Sequence, residues 1–370
     1  MTSQITKAIV AAAGAALLLG VTACGSPADA EAVGGDSLGL VGIAMPAKSL
    51  ERWNKDGARV EGLLQDAGYD TDLQFADNQA SQQVAQITHM LEQDLDALVV
   101  AAVDGSSLAP VLAEAKAKGV IVIAYDRLIN GTGDVDYYAT FDNYEVGKLQ
   151  GRFIVEQLDL RAGTGPFNLE PFAGSPDDNN AKLFFSGAWD VLGQYVANGQ
   201  LVVPSGKAPA SNDDWASIGI EGWTSEAAQA ELASRLESSY GSTKVDVVLS
   251  PNDSLALGIT QALLAAGYTE GEGWPLITGQ DADQINVENM VIGRQAMTVW
   301  KDTRTLADQA ATMVTQALKG SKVTVNDEVT YNNGVKIVPT YQLPPVVVTK
   351  DSIKDTLLDS GFYKPEDVGL

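Results

Sequence analysis

The sequence predicts an α/β protein built as two lobes, each a parallel sheet covered by helices on both faces. Three observations carry this. Continuous apolar, β-branched runs such as DALVVAAV (96–103), VIVIA (120–124) and VDVVLS (245–250) alternate with helical stretches, as strands buried on both faces require. The alternation restarts after about residue 142, which places two sheets in series. A late string, VPTYQLPPVVV (338–348), returns strand-forming residues after a long helix, so the chain crosses between lobes several times. With 370 residues, 45% of them hydrophobic, there is material for two cores.

In chain order, LGLVGIAM (38–45) reads as a strand, and residues 50–67 as a helix closed by Gly68. TDLQFA (71–76) is a strand. In 82–93, Val84, Ile87, Met90 and Leu91 share one helical face. The strand 96–103, a helix over 107–118 ending at Gly119, and the strand 120–124 complete the first series. The second contains FNLEPF (167–172), LVV (201–203), VDVVLS (245–250), PLITG (275–279) and AMTVW (296–300), with helices between. The next helix sets Leu306, Ala310, Met313, Val314, Ala317 and Leu318 on one face, and a short helix follows 338–348.

Ahead of residue 38 the chain has a different character. One lysine, Lys7, precedes an apolar run from Ala8 to Leu19, then small residues up to Cys24. This is the pattern of a secretory signal peptide over 1–23, and the run is shorter than the ~20 residues of a spanning helix. Val21-Thr22-Ala23-Cys24 resembles the lipobox of bacterial lipoproteins, which implies cleavage before Cys24 and acylation of its thiol. Residues 24–37 are small, polar and acidic, a flexible tether. Cys24 is the only cysteine, so neither a disulfide nor a cysteine-based zinc site is expected. Loss of residues 1–23 removes only Lys7 from the charge count, taking the net charge from −24 to −25. Such a surface repels phosphate backbones and disfavours nucleic acid as a partner.

Ligands of open α/β sheets bind beyond the carboxyl ends of the strands. There the sequence places Asp126-Arg127, Asp142-Asn143, Asp177-Asp178-Asn179-Asn180, Asn252-Asp253, Gln280-Asp281 and Lys301, with Lys48, Arg52 and Trp53 after the first strand. Planar Asp, Asn and Arg groups hold pairs of hydroxyls by charge-assisted hydrogen bonds. Trp53 and Trp223 offer faces for the C–H side of a sugar ring. Asp253 and Asp281 taken singly are equally good as helix N-caps, but capping does not call for Arg or Lys at the same places. The set suits a polyhydroxylated ligand.

Several strings lie in the order found in a known family: VGIAMP (41–46), ERWNKDG (51–57), AYDRLI (124–129), YYATFDN (137–143), GSPDDNNAK (174–182), SPND (250–253), GQDAD (279–283) and Lys301 after MTVW. They resemble the sugar-binding proteins of ABC transporters, in particular the xylose-binding and multiple-sugar-binding receptors, over roughly residues 38–365. The resemblance implies the type I periplasmic-binding-protein fold: two Rossmann-like lobes, three hinge crossings and a sugar in the cleft. It implies one lobe at 38–140 plus 301–341 and the other at 141–300 plus 342–370. It assigns sugar contacts to Asp126, Arg127, Asn180, Asn252 and Asp281, to Lys301 at a hinge, and to Arg52, Trp53 and Trp223 in the two walls. Asn143 and Asn179 are further transfers. Arg52, Trp53 and Lys301 favour xylose, glucose or galactose over ribose. The implied partners are a monosaccharide and ABC permease subunits, with a chemoreceptor or sensor kinase as the alternative receiver. A monomer held outside the cytoplasm by lipidated Cys24, without cofactor or metal, is expected.

Other readings are weaker. A secreted glycoside hydrolase needs two carboxylates, but among 48 acidic residues some pair is guaranteed. No G-x-S-x-G, HExxH or Walker A string occurs, and the sole histidine, His89, reads as structural or surface. The ligand domain of a transcription repressor is disfavoured by the lipobox and the acidic surface. Asp281-x-Asp283 begins like a calcium loop, but Ile285 and Asn286 stand where an oxygen ligand and a glycine are needed.

Overall fold

A computed structural model describes residues 37–370; the expected signal peptide, Cys24 and the tether up to Asp36 lie outside them. The first sheet contains β1 (Leu40–Met45), β2 (Asp70–Phe75), β3 (Leu95–Val100), β4 (Ile121–Tyr125), β5 (Tyr137–Phe141) and β11 (Thr340–Leu343). Its order is β11-β5-β4-β3-β1-β2, parallel throughout. Side-chain alternation decides which core each residue joins. Val41, Ile43 and Met45 pack with α1 (Glu51–Asp66) and α9 (Thr303–Leu318) on one face. Ala44, Leu98 and Val100 pack with α2 (Ala80–Leu91) and α3 (Ala109–Ala117) on the other.

The second sheet is shorter: β6 (Phe167–Pro171), β7 (Leu201–Val202), β8 (Val247–Leu249) and β9 (Leu276–Ile277), in parallel order β7-β6-β8-β9. Its helices are α4 (Asn143–Gln157), α5 (Asn179–Ala197), α6 (Ser225–Ser239), α7 (Asp253–Ala265) and α8 (Gln284–Val291). Helices α4 and α5 cross at near backbone contact. A Cβ on Gly147 would lie 1.9 Å from the carbonyl oxygen of Phe184, so the absence of a side chain there fixes where α5 sits.

β10 (Met297–Trp300) runs parallel beside the end of β9, joined by the bridge Gln280–Val299 and by the Ala296 N–H donating to Ile277 (3.0 Å), and pairs antiparallel with β12 (Val346–Thr349). That departs from the all-parallel expectation for this lobe. The reason lies in the late return: β11 ends in the first sheet, and Pro344-Pro345, extended and without N–H donors, carries the chain straight into β12. The chain passes between the sheets three times, at Asp142, at Lys301-Asp302 and at Pro344-Pro345. The expected last helix is short and irregular, a 3-10 turn over Lys350–Ser352 running into a wider π turn over Lys354–Leu358. His89 is exposed beside Glu92. No described helix is long and apolar enough to cross a membrane.

Candidate functional site

The carboxyl ends of the strands converge on a polar pocket between the sheets, partly open to solvent, at the place where open α/β sheets bind their ligands. Arg52 and Trp53 enter it from the first turn of α1. Asp126 and Arg127 follow β4. Asp126 has φ +60°, a left-handed conformation costly outside glycine. Its carbonyl accepts hydrogen bonds from the Tyr138 hydroxyl (2.6 Å), Thr140 Oγ1 (3.1 Å) and Asn180 Nδ2 (2.8 Å). Those three donors hold the turn and leave the carboxylate facing Arg52.

The opposite wall comes from helix starts. Asp178 caps α5 by accepting the Asn180 N–H (2.9 Å), and Asn252 caps α7 by accepting that of Leu255 (3.0 Å). Asp281 (φ +98°) and Trp223 (φ +58°) occupy turns in the left-handed region. Neither Asp253 nor Asp281 is a cap: Asn252 takes that place for α7, and Asp283 precedes α8. Lys301 enters from the second crossing, directly after β10.

Charges run across the space in a chain. Arg52 bonds Asp56 (2.9 Å) and Asp126 (2.8 Å) in its own lobe and reaches Asp281 (3.3 Å) in the other. Lys301 Nζ meets the same Asp281 oxygen at 2.9 Å, and Arg127 Nε lies 3.1 Å from Asp178. Three lining cations thus face three lining carboxylates, with Asp56 a fourth buried carboxylate on Arg52, so no cation is left over for an anion and a neutral guest is favoured. Burial alone would raise the Asp126 carboxyl, but Arg52, Lys301 and Arg127 outweigh it and hold it below the usual range. Burial would likewise lower Arg52, yet Asp126, Asp56 and Asp281 keep it well above its ordinary value. At Asp178 burial prevails over Arg127 and the carboxyl is pushed up.

The aromatic groups complete the walls. The Arg52 guanidinium sits 4.3 Å and that of Arg127 5.2 Å from the Trp53 ring centre. Phe184 meets Trp223 edge-on at 6.2 Å. Five buried polar atoms of lining residues have no hydrogen-bond partner among the described residues: Trp53 Nε1, Trp223 Nε1, Arg52 Nε, Gln280 Oε1 and Arg127 Nε, the last held only by its ion pair with Asp178. Buried polar groups are nearly always paired, so these atoms leave hydrogen-bonding capacity on residues that line the pocket.

Of the residues singled out from sequence, Arg52, Trp53, Asp126, Arg127, Asn180, Trp223, Asn252, Asp281 and Lys301 line the space; Asn143 and Asn179 do not. Asn143 is buried behind the first crossing and donates to Thr140 Oγ1 at 3.2 Å. Asn179 precedes Asn180 at the start of α5, and a one-residue step on a helix turns the side chain about 100° away. Leu50, Asp178, Phe184 and Gln280 also line the space and were not singled out as contacts. Phe184 was legible, since it lies one helical turn after Asn180.

A family model described as a periplasmic binding protein domain matches residues 41–322. The chain belongs to the periplasmic binding protein family. It is 45% identical over 329 residues to the multiple sugar-binding periplasmic receptor ChvE of Rhizobium radiobacter, covering 89% of this chain and 92% of that one. It is 36% identical over 328 residues to the D-xylose-binding periplasmic protein of Escherichia coli, covering 89% and 92%. Among solved structures, an ABC transporter solute-binding protein from Clostridium phytofermentans with bound β-D-glucose superposes with a TM-score of 0.84 at 49% identity, covering 89% of this chain and 99% of that one. The type I fold expected from the sequence is the fold observed.

Beside the cleft of this binding protein lies a second acidic cluster. Asp253 is fully buried and accepts from Gln295 Nε2 (2.7 Å), Thr298 Oγ1 (3.0 Å) and the Asp283 N–H (2.9 Å). Burial first, then Asp283, raises its carboxyl. Burial, Asp281 and Glu51 push Asp283 from 3.8 up to about 8, against the smaller opposing pull of Arg52 and Lys55. The folded protein therefore keeps a proton that the unfolded chain has released, and unfolding is favoured as pH rises from about 4 to about 8. Denaturation midpoints measured across that window are expected to fall, and Asp283→Asn flattens the profile. An unchanged slope in the variant would refute the assignment.

Proposed function

We propose that this protein is the extracytoplasmic sugar-binding component of an ABC importer, with a monosaccharide of the xylose, glucose or galactose class as its ligand. The observation that carries this is the cleft between the sheets, where three cations meet three carboxylates among aromatic rings and unpartnered polar atoms. The sugar is gripped by Arg52, Asp126 and Arg127 on one wall and Asn180, Asn252 and Asp281 on the other. Lys301 bonds it at the hinge, and Trp53 and Trp223 pack against its faces. Residues 38–140 with 301–341 and 141–300 with 342–370 act as the two lobes, and the sugar selects the closed arrangement by its higher affinity for it. Similarity to a multiple sugar-binding receptor, a xylose-binding protein and a glucose-bound solute-binding protein supports this class.

The chemistry favours binding over catalysis. Asp126 is held ionised by three cations, and Asp281 lies between Arg52 and Lys301. Asp126 is thereby suited to accept hydroxyl hydrogen bonds rather than to donate a proton. Acylation of Cys24 would tether the receptor beside its permease and raise its effective concentration there.

The test is calorimetry and thermal shift against a panel of aldoses. A micromolar dissociation constant, worth about −8 kcal/mol, and a rise in melting temperature are expected for at least one of xylose, glucose and galactose. No response to any aldose would overturn the reading.

A further inference from the structure

The C-terminal tail ties the two lobes together beside the cleft. Its residues Ile353, Leu357 and Tyr363 are buried with Val287 and Met290 of α8, in the second lobe. The same tail also reaches the first lobe. Arg304 Nη1 of α9 donates to the Ser360 carbonyl (3.1 Å), and Lys55 Nζ of α1 lies 4.7 Å from the Tyr363 ring centre. The Tyr363 hydroxyl ends between the lobes. It accepts from Lys55 Nζ (3.2 Å) and donates to the Ala282 carbonyl (2.9 Å), with Glu51 Oε1 at 3.2 Å as the alternative acceptor. Burial first, then Glu51 and Asp283, raises this hydroxyl above its ordinary value, so it keeps the proton it donates. Glu51 Oε2 in turn accepts the Gln284 N–H (3.3 Å). The start of α1 and the turn before α8 are thus joined at one place.

We infer that Tyr363 is a positioning residue for the sugar: through the Ala282 carbonyl its hydroxyl sets the turn that presents Asp281, and through Lys55 it ties that turn to the helix start that presents Arg52. This rests on the function proposed above. Two features of the turn make it depend on such a hold. Asp281 and Ala282 both lie in the left-handed region, at φ +98° and +54°, and such backbone persists only where its surroundings fix it. The other bonds on the turn stay within the second lobe: the Asp281 N–H donates to Val299 (2.9 Å) and the Ala282 N–H to Thr298 Oγ1 (3.2 Å). The Tyr363 hydroxyl is the group that links the turn to α1. Tyr363 does not itself line the cleft, so its effect on the ligand passes through Asp281.

Calorimetry with the tightest-binding aldose on Tyr363→Phe, Asp281→Asn and the double variant provides the test. Tyr363→Phe keeps the ring and removes the hydroxyl, and is expected to weaken the sugar at least fourfold. In the Asp281→Asn background the same change is expected to cost less than twofold, because the carboxylate that the hydroxyl places is already gone. A residue that only stabilises the fold would lower the unliganded melting temperature and show no such coupling to Asp281. Lys55→Met, at a half-exposed position, is expected to weaken the sugar at least twofold, and it carries the test if Tyr363→Phe does not fold. The inference is overturned if folded Tyr363→Phe loses less than fourfold, if its loss in the Asp281→Asn background is twofold or more, or if Lys55→Met binds within twofold of the parent. A parent that binds no aldose overturns the underlying function instead, and this inference with it.

Discussion

Asp281→Ala is expected to weaken sugar binding by at least 100-fold, with a much smaller effect on the unliganded protein. One carboxylate oxygen of Asp281 meets Arg52 of the first lobe and Lys301 of the hinge, and both cations are almost fully buried. Removing one member of a buried ionic group leaves its partners uncompensated, at about 3–5 kcal/mol; each 1.4 kcal/mol is a tenfold change in affinity. The penalty falls on the closed form, because opening the lobes lets Arg52 and Lys301 hydrate. Binding, which requires closure, thus suffers more than folding. Asp281→Asn keeps the shape and one acceptor but loses the charge, and an intermediate loss is expected. Calorimetry of the two variants, with their unliganded melting temperatures, checks this. An alanine variant within threefold of the parent would remove Asp281 from the site.

How much of this was legible depended on where each residue stands. Strands with continuous β-branched runs were read within a few residues, because a strand buried on both faces leaves an unmistakable pattern. Strand ends gave the charged contacts for the same reason: Asp126 and Lys301 directly follow buried strands, so their position above the sheet follows from the strand itself. Helix starts were harder. Asn179 and Asn180 are indistinguishable as residue types, and only the helical phase of α5, fixed by its packing on α4 at Gly147, turns Asn180 inward. Asp253 and Asp281 look as good as caps in the sequence and are not caps, whereas Asp178 caps α5 and also pairs with Arg127 across the cleft. The antiparallel β12 was hidden because direction depends on which sheet receives the chain after Pro344-Pro345, a non-local fact.

Gly174→Ala is expected to damage the site without touching a ligand-facing atom. A Cβ built on Gly174 would lie 1.9, 2.2 and 2.5 Å from three ring atoms of Trp223, far inside van der Waals contact. The backbone there cannot yield easily: Ala173 accepts the Ile220 N–H (3.1 Å), its own N–H donates to Ile218 (3.0 Å), and Ser175 Oγ accepts the Gly222 N–H (2.8 Å). The ring must therefore move. Phe184 stands edge-on to it, and the indole lines both the cleft and the groove beside it; a shift into the cleft takes the space of the guest, and a shift away from it removes the wall. Overpacking of a buried site costs about 1–3 kcal/mol, so the unliganded melting temperature drops by a few degrees. Affinity falls further than stability, by at least tenfold, because the displaced ring either blocks the sugar or no longer packs against it. Gly174→Ala combined with Trp223→Ala relieves the clash, so its melting temperature is expected to recover relative to Gly174→Ala while the stacking face stays lost. If the single variant binds the sugar like the parent, Trp223 does not form the wall assigned to it.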